Sequence, residues 1–186
     1  RRFASLRRFG VALSGGVLVA AALAIPFRAA LDSRAVGALN GIRTEVRSID
    51  ERGALASETN TIFIAHPLVG VGLGGLPQAM RNAAPRFAYP YQPAHTVLLV
   101  VAAEIGIFGA ASYALLVIAP WVALIIRRAA WTCELAGVSA ALAALTLIGL
   151  LDYYPWTYTA GRIWAWLLLG LWAMTFNKTR AVMADA

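Results

Sequence analysis

The chain has 186 residues, 60% of them hydrophobic and only 13% charged, with a net charge of +7. A soluble domain runs nearer a quarter charged. Apolar runs near the roughly 20 residues needed to cross a bilayer core recur here, so the composition excludes an ordinary soluble globule. The positive charge does not mark a nucleic-acid binder. Arg1, Arg2, Arg7, Arg8, Arg127, Arg128, Lys178 and Arg180 all flank apolar runs, which is the pattern of topology signals and not of a binding stripe. Cys133 is the single cysteine, so an internal disulfide and a cysteine-based metal site are both excluded. The chain opens on arginine without a cleavable signal pattern and reads as the C-terminal part of a longer protein.

In chain order, residues 9–27 form the first expected span, with Gly15 and Gly16 offering a small face to a neighbouring helix. Residues 28–96 form a long polar loop with seven arginines, at 28, 34, 43, 47, 52, 81 and 86, and no lysine. Within it Ser48-Ile-Asp-Glu51 fits a capping box, so a short helix is expected to start there. Leu55, Thr59, Ile62, Phe63 and His66 then share one helical face. Pro67 and the glycines at 70, 72, 74 and 75 end it in a flexible turn. That glycine run follows a helix and lacks GK[ST], so it is neither a dinucleotide fingerprint nor a phosphate loop. PRFAYPYQP (85–93) has no period and reads as irregular chain at the membrane surface.

Residues 97–126, 133–151 and 160–176 are the other three expected spans. Thirty helical residues reach about 45 Å against a core of about 30 Å. The run 97–126 must therefore tilt, kink near Pro120 or begin above the membrane. Asp152-Tyr-Tyr-Pro-Trp156 is a tight outer turn with interfacial aromatics. With both termini cytoplasmic, Arg127-Arg128 and Lys178-Arg180 fall inside, while 28–96 and DYYPW fall outside, as the positive-inside rule requires. The expectation is an all-α polytopic membrane protein fragment, a single membrane domain over 1–186 with four transmembrane helices. Its long extracytoplasmic loop, containing a short helix, lies between the first and second.

The candidate chemistry is sparse. His95 stands at the mouth of the second span, and imidazole titrates near neutral pH, which suits a catalytic base. The plainer role is an interfacial histidine bonded to a loop carbonyl. On a helix from 95, Leu99, Ala102, Gly106, Gly109 and Tyr113 share its face, small enough in the middle for another helix or a lipid chain. Arg52 falls in the first turn of the expected loop helix, where a guanidinium and free N–H groups would clamp a diphosphate. A solvated helix end paired with Asp50 or Glu51 explains it as well. Arg47, Arg81 and Arg86 are weaker candidates of the same kind. Glu104 lies inside a span, where an ionisable group calls for a partner; a structural pair with an arginine such as Arg162 is favoured over direct chemistry. No carboxylate or histidine cluster has metal-ligand spacing, so no metal or cofactor is expected.

Taken together, ERGALASETNTIFIAHPLVGVGLGG and AHTVLLVVAAEIGIFG resemble the C-terminal signature of the O-antigen ligase and polymerase superfamily of bacterial membrane glycosyltransferases. Its pattern sets an arginine fourteen residues before a His-Pro-Leu-x-Gly-Val-Gly-x-Gly turn, as Arg52 stands before His66. It then sets a histidine with Glu nine residues on and Gly eleven and fourteen on, as His95, Glu104, Gly106 and Gly109 stand here. DYYPW and GRIWAWLLLGLW look like the family's end. The family's Asn after the histidine is Thr96 here, its Trp after the arginine is Ala56, and its following aromatic and Gln are Leu98 and Val100.

The resemblance implies transfer of a glycan from an undecaprenyl-diphosphate carrier to an acceptor hydroxyl on a glycolipid, glycan or protein. The setting is the outer face of the bacterial cytoplasmic membrane. Arg52 would hold the diphosphate, His95 would orient or deprotonate the hydroxyl, and the small face below His95 would take the polyprenyl chain. Earlier helices, with another arginine at the site, would complete it, and this piece alone should be inactive. Ligase, chain polymerase and protein O-oligosaccharyltransferase share the signature. A transporter subunit would instead need internal repeats and helices broken at mid-membrane, and a non-catalytic scaffold leaves the His and Arg placements unexplained.

Overall fold

The computed structural model describes residues 43–126 and 131–184, with isolated helical positions at 25, 28, 29, 32 and 36. The expected first span, its RRFASLRR flank and Arg127-Arg128 lie outside the described residues. Among the described residues every regular element is a helix: α1 Arg43–Ala65, α2 Leu76–Ala83, α3 Val97–Ile126, α4 Cys133–Leu151, α5 Tyr154–Thr157 and α6 Thr159–Ala184. The chain divides into two compact units, Arg1–Asp50 and Glu51–Ala186. In the first, Arg28 and Asp32 form an exposed pair at 3.6 Å.

Two of the described helices, α3 and α4, are long and apolar enough to cross a membrane. The 133–151 run is helical over the expected residues. Thr132 caps it, its hydroxyl accepting from the Leu135 N–H at 3.1 Å. Helix α6 runs past the expected end at 176, and Asn177 to Arg180 remain helical. There Lys178 Nζ lies 3.2 Å from Glu134 Oε2, joining the far end of α6 to the start of α4. Trp172 donates to Ser139 Oγ at 3.0 Å and stacks on Phe176. Leu135 and Leu142 complete that core.

Helix α3 is broken, at Gly106 and not near Pro120. Gly106 has φ 73° and ψ −174°, a region that is essentially glycine-only. The two halves differ in surroundings. Val97 and Val100 to Glu104 are buried by protein, whereas Ile107, Phe108, Leu115, Leu116, Ile118, Ile125 and Ile126 are exposed. Ile107 to Ile126 is 20 residues, or about 30 Å of helix, which matches a bilayer core. The excess length of the 97–126 run is therefore taken up by a buried segment ahead of the break.

A second core surrounds that buried segment. Leu55 and Ile62 of α1, Leu76 and Met80 of α2, and Ala94, Val100 and Ala103 pack together, with Phe63, Phe87 and Tyr91 around them. Leu55, Leu76 and Met80 are fully buried, each worth about 1.5–3 kcal/mol of apolar transfer. The face Leu55, Thr59, Ile62 and Phe63 is thus the inward face of α1, as its spacing requires, while His66 lies exposed beyond the helix end.

Candidate functional site

The glycine turn is built into α3. The Val71 N–H donates to the Ala103 carbonyl at 3.0 Å, the Gly72 N–H to the Glu104 carbonyl at 2.9 Å, and the Ile107 N–H to the Pro67 carbonyl at 2.8 Å. These bonds satisfy backbone groups that the break at Gly106 releases, as any break near the hydrocarbon region demands. The fit leaves no room for side chains. A Cβ at Gly106 would overlap the Leu68 carbonyl, and one at Gly70 would overlap the Glu104 carbonyl. The turn is therefore a fixed part of the site floor and not a flexible connection. It also occupies the middle of the small face ascribed to a lipid chain, because Leu68 and Val69 lie against Gly106.

Glu104 is 3% exposed and accepts a hydrogen bond from the Trp156 indole Nε1 at 2.8 Å. The expected arginine partner is replaced by this indole from the DYYPW segment. Arg162 instead reaches Thr159 Oγ1 at 3.4 Å and lines a small apolar cleft of about 80 Å³ with Leu98, Tyr113 and Trp166. Asp152 is the turn residue expected, its Oδ1 accepting from the Tyr154 N–H at 2.9 Å. Pro155 then stands in the first turn of the short α5, which aims Trp156 at Glu104 and sets its ring edge-on to Tyr113 at 5.6 Å.

Helix α1 begins at Arg43, not at Ser48. Ser48, Asp50, Glu51 and Arg52 therefore lie in mid-helix, where backbone N–H groups are already bonded within the helix. The helix-end contribution expected at Arg52 is absent. What Arg52 offers is an exposed guanidinium, without an ion pair among the described residues. Its neighbour Glu51 does not pair with it but accepts from Gln92 Nε2 at 2.8 Å.

His95 lies half-buried in the approach to α3, two residues before the helix starts at Val97. Its Nδ1 is enclosed and makes no hydrogen bond. The imidazole packs edge-on against Tyr153, with ring centroids 5.1 Å apart. The Tyr153 hydroxyl donates to Gln92 Oε1 at 3.2 Å. Burial raises the Tyr153 phenol above its ordinary value, reinforced by the neighbouring Tyr158 and by the Asp152 and Glu51 carboxylates.

The other arginines are dispersed. Arg81, exposed on α2, sits over the Tyr91 ring at 5.5 Å. Arg86 is exposed in the irregular 84–96 segment, and Arg47 is exposed in the first unit. The His66 backbone N–H bonds to the Ile62 and Phe63 carbonyls and its carbonyl accepts from the Gly70 N–H, while its side chain lies exposed. Among the described residues no three His, Cys, Asp or Glu side chains gather as a metal site. Gln92, Tyr153 and Trp156 were not singled out by spacing, although the crowding of aromatics in DYYPW pointed to that turn.

The fold and the site define a helical membrane protein whose buried polar groups collect beside one broken apolar helix. A family model for O-antigen ligase matches residues 1–114, a span that contains Arg52, the glycine turn, His95, Glu104 and Gly106. The chain belongs to the O-antigen ligase family, bacterial inner-membrane proteins of the glycosyltransferase type that work on lipid-linked glycans. The match stops before the DYYPW turn. No curated protein and no solved structure matches the chain.

Proposed function

We propose that this protein transfers a glycan from an undecaprenyl-diphosphate carrier to an acceptor hydroxyl at the outer membrane–water boundary. His95 serves as base and Arg52 as diphosphate ligand. The observation that carries the reading is the Glu51–Gln92 hydrogen bond. It ties the helix turn bearing Arg52 to the segment that delivers His95. With Nδ1 enclosed, Nε2 is the nitrogen that meets the acceptor. In the transfer, the acceptor oxygen bonds to the sugar's anomeric carbon and its proton passes to Nε2. The anomeric carbon–oxygen bond to phosphate breaks, and the electron pair leaves on the diphosphate. Guanidinium stabilises that departing charge through its planar fork. Arg81 and Arg86 add positive potential along the same outer segment; His66 and Glu104 hold structure. In this reading four spans cross the membrane with both termini cytoplasmic, and 28–96 lies outside.

The test is transfer by the intact protein in proteoliposomes, given the lipid-linked donor and an acceptor. His95→Ala should abolish product while protein level is unchanged, and Arg52→Lys should lose at least about tenfold because a point charge does not replace the fork. Wild-type turnover from His95→Ala would remove the base from the mechanism. The product, whether extended glycan on the carrier, glycan on a lipid acceptor or glycan on protein, distinguishes polymerase, ligase and protein glycosyltransferase.

A further inference from the structure

Two features of the surroundings of His95 bear on how its ring is held. Its Nδ1 has no hydrogen-bonding partner, so nothing holds the imidazole by that nitrogen. In most histidine bases a carboxylate or carbonyl at the second nitrogen fixes the ring. Here the neighbour is an aromatic side chain instead: the Tyr153 ring lies 5.1 Å from the imidazole, centroid to centroid, at an interplanar angle of 69°. Tyr153 is itself held. Its hydroxyl donates to Gln92 Oε1 at 3.2 Å, and the other end of that amide donates to Glu51 Oε1 at 2.8 Å. The order of donors and acceptors runs one way, from phenol to amide oxygen, then from amide nitrogen to carboxylate. Glu51 is the residue before Arg52, and Gln92 lies three residues before His95. Three separate parts of the chain, α1, the 84–96 segment and the DYYPW turn, therefore meet in one polar chain beside the imidazole.

We propose that Glu51, Gln92 and Tyr153 form a brace that sets the orientation of the His95 ring and its spacing from the α1 turn carrying Arg52. They are positioning residues and not catalytic ones. The brace rests on the reading of His95 as the base. A misplacement of about 1 Å can cost about 100-fold in rate even when binding persists, so its loss falls on kcat and spares the donor KM.

The experiment measures kcat and donor KM for transfer by the intact protein in proteoliposomes. Tyr153→Phe keeps the ring edge and removes the hydroxyl; Gln92→Ala removes the bridge. Each should lower kcat about 10- to 100-fold with donor KM within about threefold of wild type. Gln92→Glu sets two carboxylates against each other and should lose as much. Combining it with Glu51→Gln restores an amide donor facing a carboxylate that also accepts from Tyr153, and should recover most of kcat. Wild-type kcat in Tyr153→Phe and Gln92→Ala overturns the brace. So does failure of the exchanged pair to recover, which marks the residues as merely structural. His95→Ala, run alongside, separates the two claims. If it stays active, the base assignment fails and the brace falls with it. If it is dead while the brace variants are wild type, only the brace fails.

Discussion

The indole Nε1 of Trp156 donates to the buried Glu104 carboxylate at 2.8 Å, across 52 positions of sequence. The bond joins the segment between α4 and α6 to the buried half of α3. Trp156→Phe should leave Glu104 without that partner and destabilise by about 1–3 kcal/mol. Glu104→Gln keeps an oxygen to accept the bond and should cost less. Thermal unfolding in detergent checks both, and equal midpoints for wild type and Trp156→Phe would show that the bond holds nothing.

Gly106 and Gly70 face each other's segments across the turn-to-helix contact. Gly106→Ala and Gly70→Ala each combine a positive φ with an overlap against backbone and should each destabilise by at least about 2 kcal/mol. Gly53→Ala is the contrast. It lies exposed within α1 with nothing near its added Cβ and should stabilise by about 0.5–1 kcal/mol. Unfolding midpoints ordered otherwise would contradict the docked turn.

The raised Tyr153 phenol has a consequence for alkaline stability. The folded protein holds that proton more tightly than the unfolded chain does. The contribution is therefore complete below the ordinary tyrosine value of about 10 and is lost as pH rises through the higher folded value. Wild type should lose stability through that window faster than Tyr153→Phe. Parallel pH curves for the two would assign the alkaline loss to other groups.

Orientation in the membrane is open to cysteine labelling on a Cys133→Ser background. Gln78→Cys, exposed on α2, should react with an impermeant maleimide from the outer side, and Lys178→Cys only after permeabilisation. Leu115→Cys, exposed on the apolar half of α3, should be shielded by lipid. Labelling of Lys178→Cys from outside would invert the arrangement.

Much of the frame was legible because apolar runs carry their own length. The 133–151 run is α4, and the Leu55–Phe63 spacing is the buried face of α1. Local signals misled where a second structure satisfied them equally well. Ser48 and Glu51 have capping-box spacing, but that spacing is also simply one turn of a helix already running from Arg43. Read alone, the glycines in VGVGLGG suggest a flexible turn and those in EIGIFG a small helix face. Only their mutual fit, Gly70 on Glu104 and Leu68 on Gly106, turns two weak signals into one rigid contact, and such pairing has no local signature. Glu104 called for a polar partner, yet nothing nearby in sequence distinguished the Trp156 indole from the Arg162 guanidinium. The Gln92 bridge was equally hidden, because a lone glutamine in an irregular tract carries no pattern.

In the proposed mechanism Arg52 and His95 serve the same transfer step. The most direct test is a double-mutant cycle, measuring single-turnover glycan transfer by the intact protein with Arg52→Ala, His95→Ala and both together. Each single change should slow transfer about 100-fold or more, and the double should be little slower than the worse single, as for residues acting as a unit. A wild-type rate from either single variant, or losses that multiply in full, would contradict it.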